Sequence, residues 1–418
     1  MLPPHDRAAA RQLLDQLMQE NPGFDPFDFL LAAGWLSFTD YEAWRLGQRP
    51  ELLALLRAEP KLKATELAAL LTDLHSYARA QGLIGQPQLL ERWGREPGLL
   101  KIGAGPTKPP LDELLGIRFE TDPTRKQLDL FHDSGATLLE NRLREALRAR
   151  RPDAAVDALE QLRARRPDHP QLGGWRQLVD APATLATMPD LGGRFQVLDA
   201  LEPVARQLLG QRSSARDYLA PLWTALAEAL TEARAKDTQT QAESTSTTAR
   251  PHPAIAWARA EHWQQARAAI EATPKWNSQL KLMALHARVC WQDGDPLSAR
   301  DDWLRLCWEQ PDQAARLLQA QDFPDANLAA AWQRFEDSDA ELDNQDFPAW
   351  LLLTSPGLVP PDPDLVPRDT DLAEIFAAAQ ALRAEPDQIA RRETLDALHA
   401  GLLRAFLATR GRSGAQRS

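Results

Sequence analysis

Gly103-Ala104-Gly105-Pro106-Thr107-Lys108 is the closest approach in this chain to a phosphate-binding loop. Such loops aim backbone N–H groups and a helix N-terminus at the phosphate. Here the glycine-to-lysine spacing is wrong for a Walker A loop, and Pro109-Pro110 denies the helix start that would receive the anion. The eight histidines are scattered, with no His-Glu-x-x-His and no Cys/His cluster at zinc spacing, so each reads as a solvated or hydrogen-bonded side chain. No Gly-x-Ser-x-Gly elbow and no Cys/His nucleophile context is visible. The carboxylates from Glu336 to Asp346 form an irregular acidic run, which predicts a solvated loop. The arginine-rich stretch from Arg142 to Arg166 is interrupted by Glu145, Asp153, Asp157 and Glu160, as solvated helix faces are. The expectation is a protein that is not an enzyme, with no catalytic, cofactor-binding or metal-ligating residue and no cofactor.

One short peptide is sharper. Gln127-Leu128-Asp129-Leu130-Phe131 lies between the turn signals Asp122-Pro123 and Ser134-Gly135, where binding peptides tend to be placed. It resembles the pentapeptide by which bacterial replication and repair proteins dock on the DNA polymerase sliding clamp, consensus Gln-Leu-Ser/Asp-Leu-Phe, and all five positions match. The resemblance implies that Leu130 and Phe131 enter an apolar pocket, that Gln127 hydrogen-bonds at its edge, and that Leu128 and Asp129 lie along the rim. Buried apolar anchors would supply most of the binding energy and the polar residue the discrimination. The alternative is that Leu128, Leu130 and Phe131 pack into the core as a tether between modules.

The elements that would carry such a peptide are helices. Ala, Leu, Arg and Glu dominate the 418 residues, a composition that favours helix. That length is too great for one core. The net charge of −11 argues against sequence-independent nucleic-acid binding and leaves room for one local basic face. Two cysteines, Cys290 and Cys307, read as buried thiols in a reducing compartment. The first residues do not resemble a signal peptide, and no apolar run is long enough to span a membrane. A cytoplasmic location is the expectation.

Residues 1–118 read as an N-terminal bundle of short helices. In it Thr39 and Glu42 suit a capping box, and Lys63 to Gln81 forms a longer helix closed by Gly82. Ile117-Arg118-Phe119-Glu120 alternates as a short strand would. Residues 119–135 are the connection holding the pentapeptide, and 136–235 are helical with a degenerate repeat. The polar stretch 236–253 is a flexible linker by composition. Residues 254–334 are a helical-repeat region, 335–370 an acidic, proline-rich connection that includes Trp350-Leu351-Leu352-Leu353, and 371–409 a C-terminal helix pair.

Two windows share a spacing. Ala155, Leu159 and Pro167 recur at the offsets of Ala299, Trp303 and Pro311. In the second window Gly294 occupies the preceding turn and Ala287 the small position of the first helix. This pattern is similar to the second helix of a tetratricopeptide repeat, in which a small residue lets two helices approach, an aromatic fills the groove four residues on and a proline ends the unit. Departures are Cys290 where the family prefers Tyr, Met283 and His286 for its Trp and Leu, and Arg150 where Gly is expected. Residues 254–274 resemble a shortened unit. The resemblance implies stacked helix pairs and a surface for a protein partner. The fold class expected is thus all-α, an irregular helical bundle followed by an α-solenoid (tetratricopeptide-like) array. The function expected is that of a protein–protein adaptor, with a helical scaffold unrelated to replication as the alternative.

Overall fold

The computed structural model describes residues 7–20, 23–57, 63–88, 90–94, 98–103, 110–121, 134–210, 212–240, 250–320, 323–338 and 341–415. Among these the chain is all-α apart from one small sheet, and it divides into two compact units, Met1–Ala266 and Arg267–Ser418. No described helix is long and apolar enough to cross a membrane.

The first unit begins with α1 (Arg7–Glu20), β1 (Gly23–Phe24), α2 (Pro26–Ala32), α3 (Phe38–Arg45), α4 (Ala64–Ala80), β2 (Leu83–Pro87), α5 (Leu111–Leu115) and β3 (Ile117–Thr121). Local chemistry sets these boundaries. Asp25 caps α2, its carboxylate accepting from the Phe27 N–H at 2.9 Å, with Pro26 at the first helical position. Ser37, not Thr39, caps α3: Ser37 has extended backbone angles and its hydroxyl accepts from the Asp40 N–H, which leaves Thr39 inside the helix. Glu66 accepts from the Lys63 N–H at the start of α4, and Gly82 just beyond its end has φ +84°.

The strand read at Ile117–Glu120 is the centre of the antiparallel sheet, flanked by β1 and β2. Phe119 lies opposite both Phe24 and Gly85. A Cβ at Gly85 would stand 2.9 Å from the Ile117 side chain and 3.2 Å from the Phe119 ring, so the aromatic core reaches the backbone there. Around the sheet Phe27, Trp35, Tyr41, Trp44 and Leu71 form one buried cluster.

The unit continues with α6 (Ser134–Arg148), α7 (Pro152–Arg165), α8 (Leu172–Thr187), α9 (Leu191–Leu209), α10 (Arg212–Thr240) and α11 (Pro253–Arg259). Each packs on the next, and α10 also returns to α6. Leu143, Leu162, Trp175, Leu198 and Trp223 centre this second cluster. The boundary between the units falls in α12 (Trp263–Glu271).

Residues 1–118 and 136–235 thus share one unit, held by buried charges that composition does not reveal. Arg148, at the end of α6, places its guanidinium 3.5 Å from Asp25 and 3.8 Å from Asp217 on α10. Arg216 lies 3.0 Å from Asp217 and 3.5 Å from Asp28. Arg150 pairs with Glu42 at 2.8 Å, donates to the Asp217 carbonyl and covers the Trp93 ring at 4.2 Å. Burial works against the charge on Arg148, but Asp25, Tyr41 and Asp217 outweigh it and hold its pKa above the ordinary arginine value.

The second unit comprises α13 (Leu280–Gln292), α14 (Pro296–Glu309), α15 (Pro311–Leu318), α16 (Ala326–Glu336), α17 (Phe347–Thr354), α18 (Thr370–Ala384) and α19 (Ile389–Ala415). Two segments differ from expectation. α10 runs to Thr240, five residues into the stretch read as a linker, because Lys236 to Thr240 extend an established helix; residues 241–249 lie outside the described residues. Within 335–370, α17 is core, with Phe347 and Leu351 fully buried, because its apolar run finds partners in Trp332 and Phe335.

His75 on α4 is buried with its ring 4.8 Å from Phe119. Burial, with a smaller push from Arg79, lowers its pKa to about 4. The unfolded imidazole titrates near 6.5. Between these values the unfolded chain binds a proton that the folded chain does not, so stability falls as pH drops through that window. The full span is worth at most about 3 kcal/mol. Urea unfolding measured across this range should show that loss, and His75→Phe should flatten it. A slope unchanged by the substitution would contradict the assignment.

Candidate functional site

The best-developed helix pair is α13–α14. Gly294 makes its turn with φ +86° and nothing near its missing side chain, so the conformation rather than crowding calls for glycine. Asp295 then caps α14, accepting from the Ser298 N–H at 3.1 Å, with Pro296 at the first helical position. Ala287 and Ala299 are fully buried in one core. Trp303 packs against Trp291 on α13 and, at 4.6 Å, against Phe323. Pro311 opens α15. In the other window Ala155 and Leu159 are buried on α7, and Pro167 is exposed just past its end. Arg150 occupies the corner where glycine was expected and adopts φ +56°. That left-handed backbone costs on the order of 1–2 kcal/mol for a residue with a side chain; the Glu42, Asp217 and Trp93 contacts of its guanidinium offset it.

Gln127, Leu128, Asp129, Leu130 and Phe131 lie outside the described residues.

The α13–α14 pair also assembles a polar cluster that the residue spacing alone had not suggested. His286 and Cys290 stand one turn apart on α13, and Asp302 projects from α14; all three are buried. Their ligand atoms lie within 4.8 Å of one another. His286 Nδ1 is 2.5 Å from Asp302 Oδ2, and its Nε2 is 3.3 Å from Glu271 Oε1. Cys290 Sγ is 3.6 Å from Nδ1 and 3.5 Å from Nε2. The Trp276 ring covers the imidazole at 4.2 Å. Behind Glu271, Arg267 Nε donates at 2.8 Å and its Nη1 reaches Asp295 at 2.9 Å.

Electrostatics tie the cluster together. Burial is the largest single influence on the His286 pKa and would lower it, but the hydrogen bonds and charges of Asp302 and Cys290 together outweigh it and lift the group to about 10. Burial pushes the Asp302 carboxyl up, against the pull of His286. The short contact is a charge-assisted hydrogen bond between His286 and Asp302. The other thiol, Cys307, is pushed up by burial and donates to the Trp303 carbonyl.

A thiol, an imidazole and a carboxylate are the components of a nucleophilic triad, but Cys290 has no exposed surface for a substrate to reach. What the three can do where they stand is bind one another, or a small ion. The signal for the cluster was present in the sequence. His286 and Cys290 are four residues apart, and His286 and Asp302 lie eight residues on either side of Gly294. An antiparallel pair turning at that glycine must bring them together.

Two substitutions test the packing and the polar cluster separately. Ala299→Leu should overpack the helix contact and lower stability by about 1–3 kcal/mol. Asp302→Ala strands a buried imidazole and should cost about 3–5 kcal/mol. Chemical denaturation of the two variants beside the parent reads both, and parent-like stability in either would remove the corresponding claim.

No protein-family model matches this chain, and no curated protein or solved structure matches it.

Proposed function

We propose that this chain is a non-enzymatic helical scaffold that docks on the bacterial DNA polymerase sliding clamp through Gln127-Leu128-Asp129-Leu130-Phe131, and so serves replication or repair. The observation that carries the reading is the pentapeptide itself, which agrees with the clamp-binding consensus at every position. Its place in the chain supports it. The motif falls between the end of β3 at Thr121 and the start of α6 at Ser134. The structure on either side is held by contacts outside that interval: Arg148 with Asp25, Arg151 with Glu91 at 2.7 Å, and the Gly94 N–H donating to the Ala149 carbonyl at 3.0 Å. The paired helices α6–α7 and α13–α14, with small residues at their contacts, suit a tetratricopeptide-like body that carries a second protein partner.

A peptide spanning Thr124 to Ser134, and the full-length chain, are expected to bind a bacterial sliding clamp with micromolar affinity, because few anchors must offset the ordering of a short segment. Leu130→Ala with Phe131→Ala should abolish binding, Gln127→Ala should weaken it less, and the double variant should melt with the parent. A parent that does not bind, together with a double variant destabilised by several kcal/mol, would replace this reading with that of a scaffold unrelated to replication whose pentapeptide is core.

A further inference from the structure

We infer that His286, Cys290 and Asp302 form a binding site for a zinc-type divalent cation between α13 and α14. The inference is independent of clamp docking and stands on a different part of the chain.

The donor set selects the metal. One nitrogen, one sulfur and one carboxylate oxygen make a borderline-soft environment that suits Zn2+ and disfavours Mg2+ or Ca2+, which take oxygen ligands. The donors come from two helices whose relative position is fixed by the Gly294 corner, the buried Ala287 and Ala299, and the Trp303 contact with Trp291. Spacing agrees. Tetrahedral zinc with ordinary bond lengths sets its nitrogen and sulfur ligands about 3.5 Å apart, and Cys290 Sγ is 3.5 and 3.6 Å from the two ring nitrogens of His286. Asp302 Oδ2 stands at 2.5 Å from Nδ1, a hydrogen-bond separation. An ion replacing that proton must widen it by about 1 Å. Sγ is nearly equidistant from both nitrogens, so it lies over the ring rather than in its plane. Closing on an ion therefore turns the imidazole edge toward the sulfur.

The surroundings are those of a ligand histidine. Nε2 faces Glu271, which Arg267 holds in place. A carboxylate behind the imidazole orients the ring and leaves the Nδ1 lone pair for the metal. Charge closes as well. The imidazolium N–H proton and the thiol proton leave to solvent, N–Zn, S–Zn and O–Zn bonds form, a neutral water completes the tetrahedron, and a dication with one thiolate and one carboxylate is a neutral buried unit. Neutrality matters because these groups lie in the same apolar core as Met283, Leu306 and Phe376, where unbalanced charge is costly.

The test uses full-length protein treated with a chelator, dialysed and titrated with Co2+ as a spectroscopic probe. The expected result is one Co2+ per chain, with a thiolate-to-cobalt charge-transfer band and the visible bands of tetrahedral cobalt, all lost when Zn2+ is added. Zn2+ alone should raise the Tm. Cys290→Ser should lose the charge-transfer band, and Cys307→Ser should keep it. Glu271→Gln should weaken binding by about 10-fold or more. Circular dichroism of each variant separates misfolding from lost ligation, and the parent and Cys307→Ser spectra decide the matter even where another variant fails to fold. Absence of a thiolate band in the parent, or a band that depends on Cys307 instead of Cys290, would overturn the inference.

Discussion

Arg148 lies buried between Asp25 and Asp217, and the first unit is organised around that charge. Asp25 caps α2, Arg148 ends α6 and Asp217 sits early in α10, so one guanidinium joins three segments far apart in sequence. Removing water from such groups is expensive, and the arrangement persists because each charge meets opposite charge or a hydrogen-bond partner. Arg216 with Asp28 and Asp217, and Arg150 with Glu42, extend the same pattern. These ion pairs join the N-terminal, sheet-bearing bundle directly to the helices after residue 134.

The second unit meets the same constraint with different residues. His286 lies between Asp302 and Glu271, with a thiol against its ring and an indole over it. A packed helix pair needs only apolar side chains at such a place, and here His286, Cys290 and Asp302 are buried instead. Departures from a packing rule that bring buried polar groups together mark positions where a chain does something besides fold. A helix pair stiffened by Ala287 and Ala299 is a rigid mount for such groups.

Much of the helical architecture was legible because its signals are local. Gly82 and Gly294 end helices with the left-handed backbone that glycine tolerates, and the alternation at Ile117–Glu120 marks a strand. Three features were not legible, for identifiable reasons. Arg150 takes a glycine's conformation because distant partners stabilise it, and no neighbouring residue announces them. Ser37 displaces Thr39 as a cap because two hydroxyl residues two positions apart compete within one turn, and only backbone angles choose between them. Trp350-Leu351-Leu352-Leu353 sits among prolines and acids that suggest a loop, yet Trp332 and Phe335 give its helix a core to join. The His286 cluster was readable in principle, once the corner at Gly294 is taken as the centre of an antiparallel pair.

Clamp docking through residues 127–131 is the central claim. Hydrogen–deuterium exchange of the full-length chain, alone and with a saturating bacterial sliding clamp, addresses it residue by residue. The account predicts slower exchange on clamp addition confined to Thr124 through Ser134, with α6, α10 and the α13–α14 pair unchanged. Protection that falls elsewhere in the chain, or no protection at all, would contradict it.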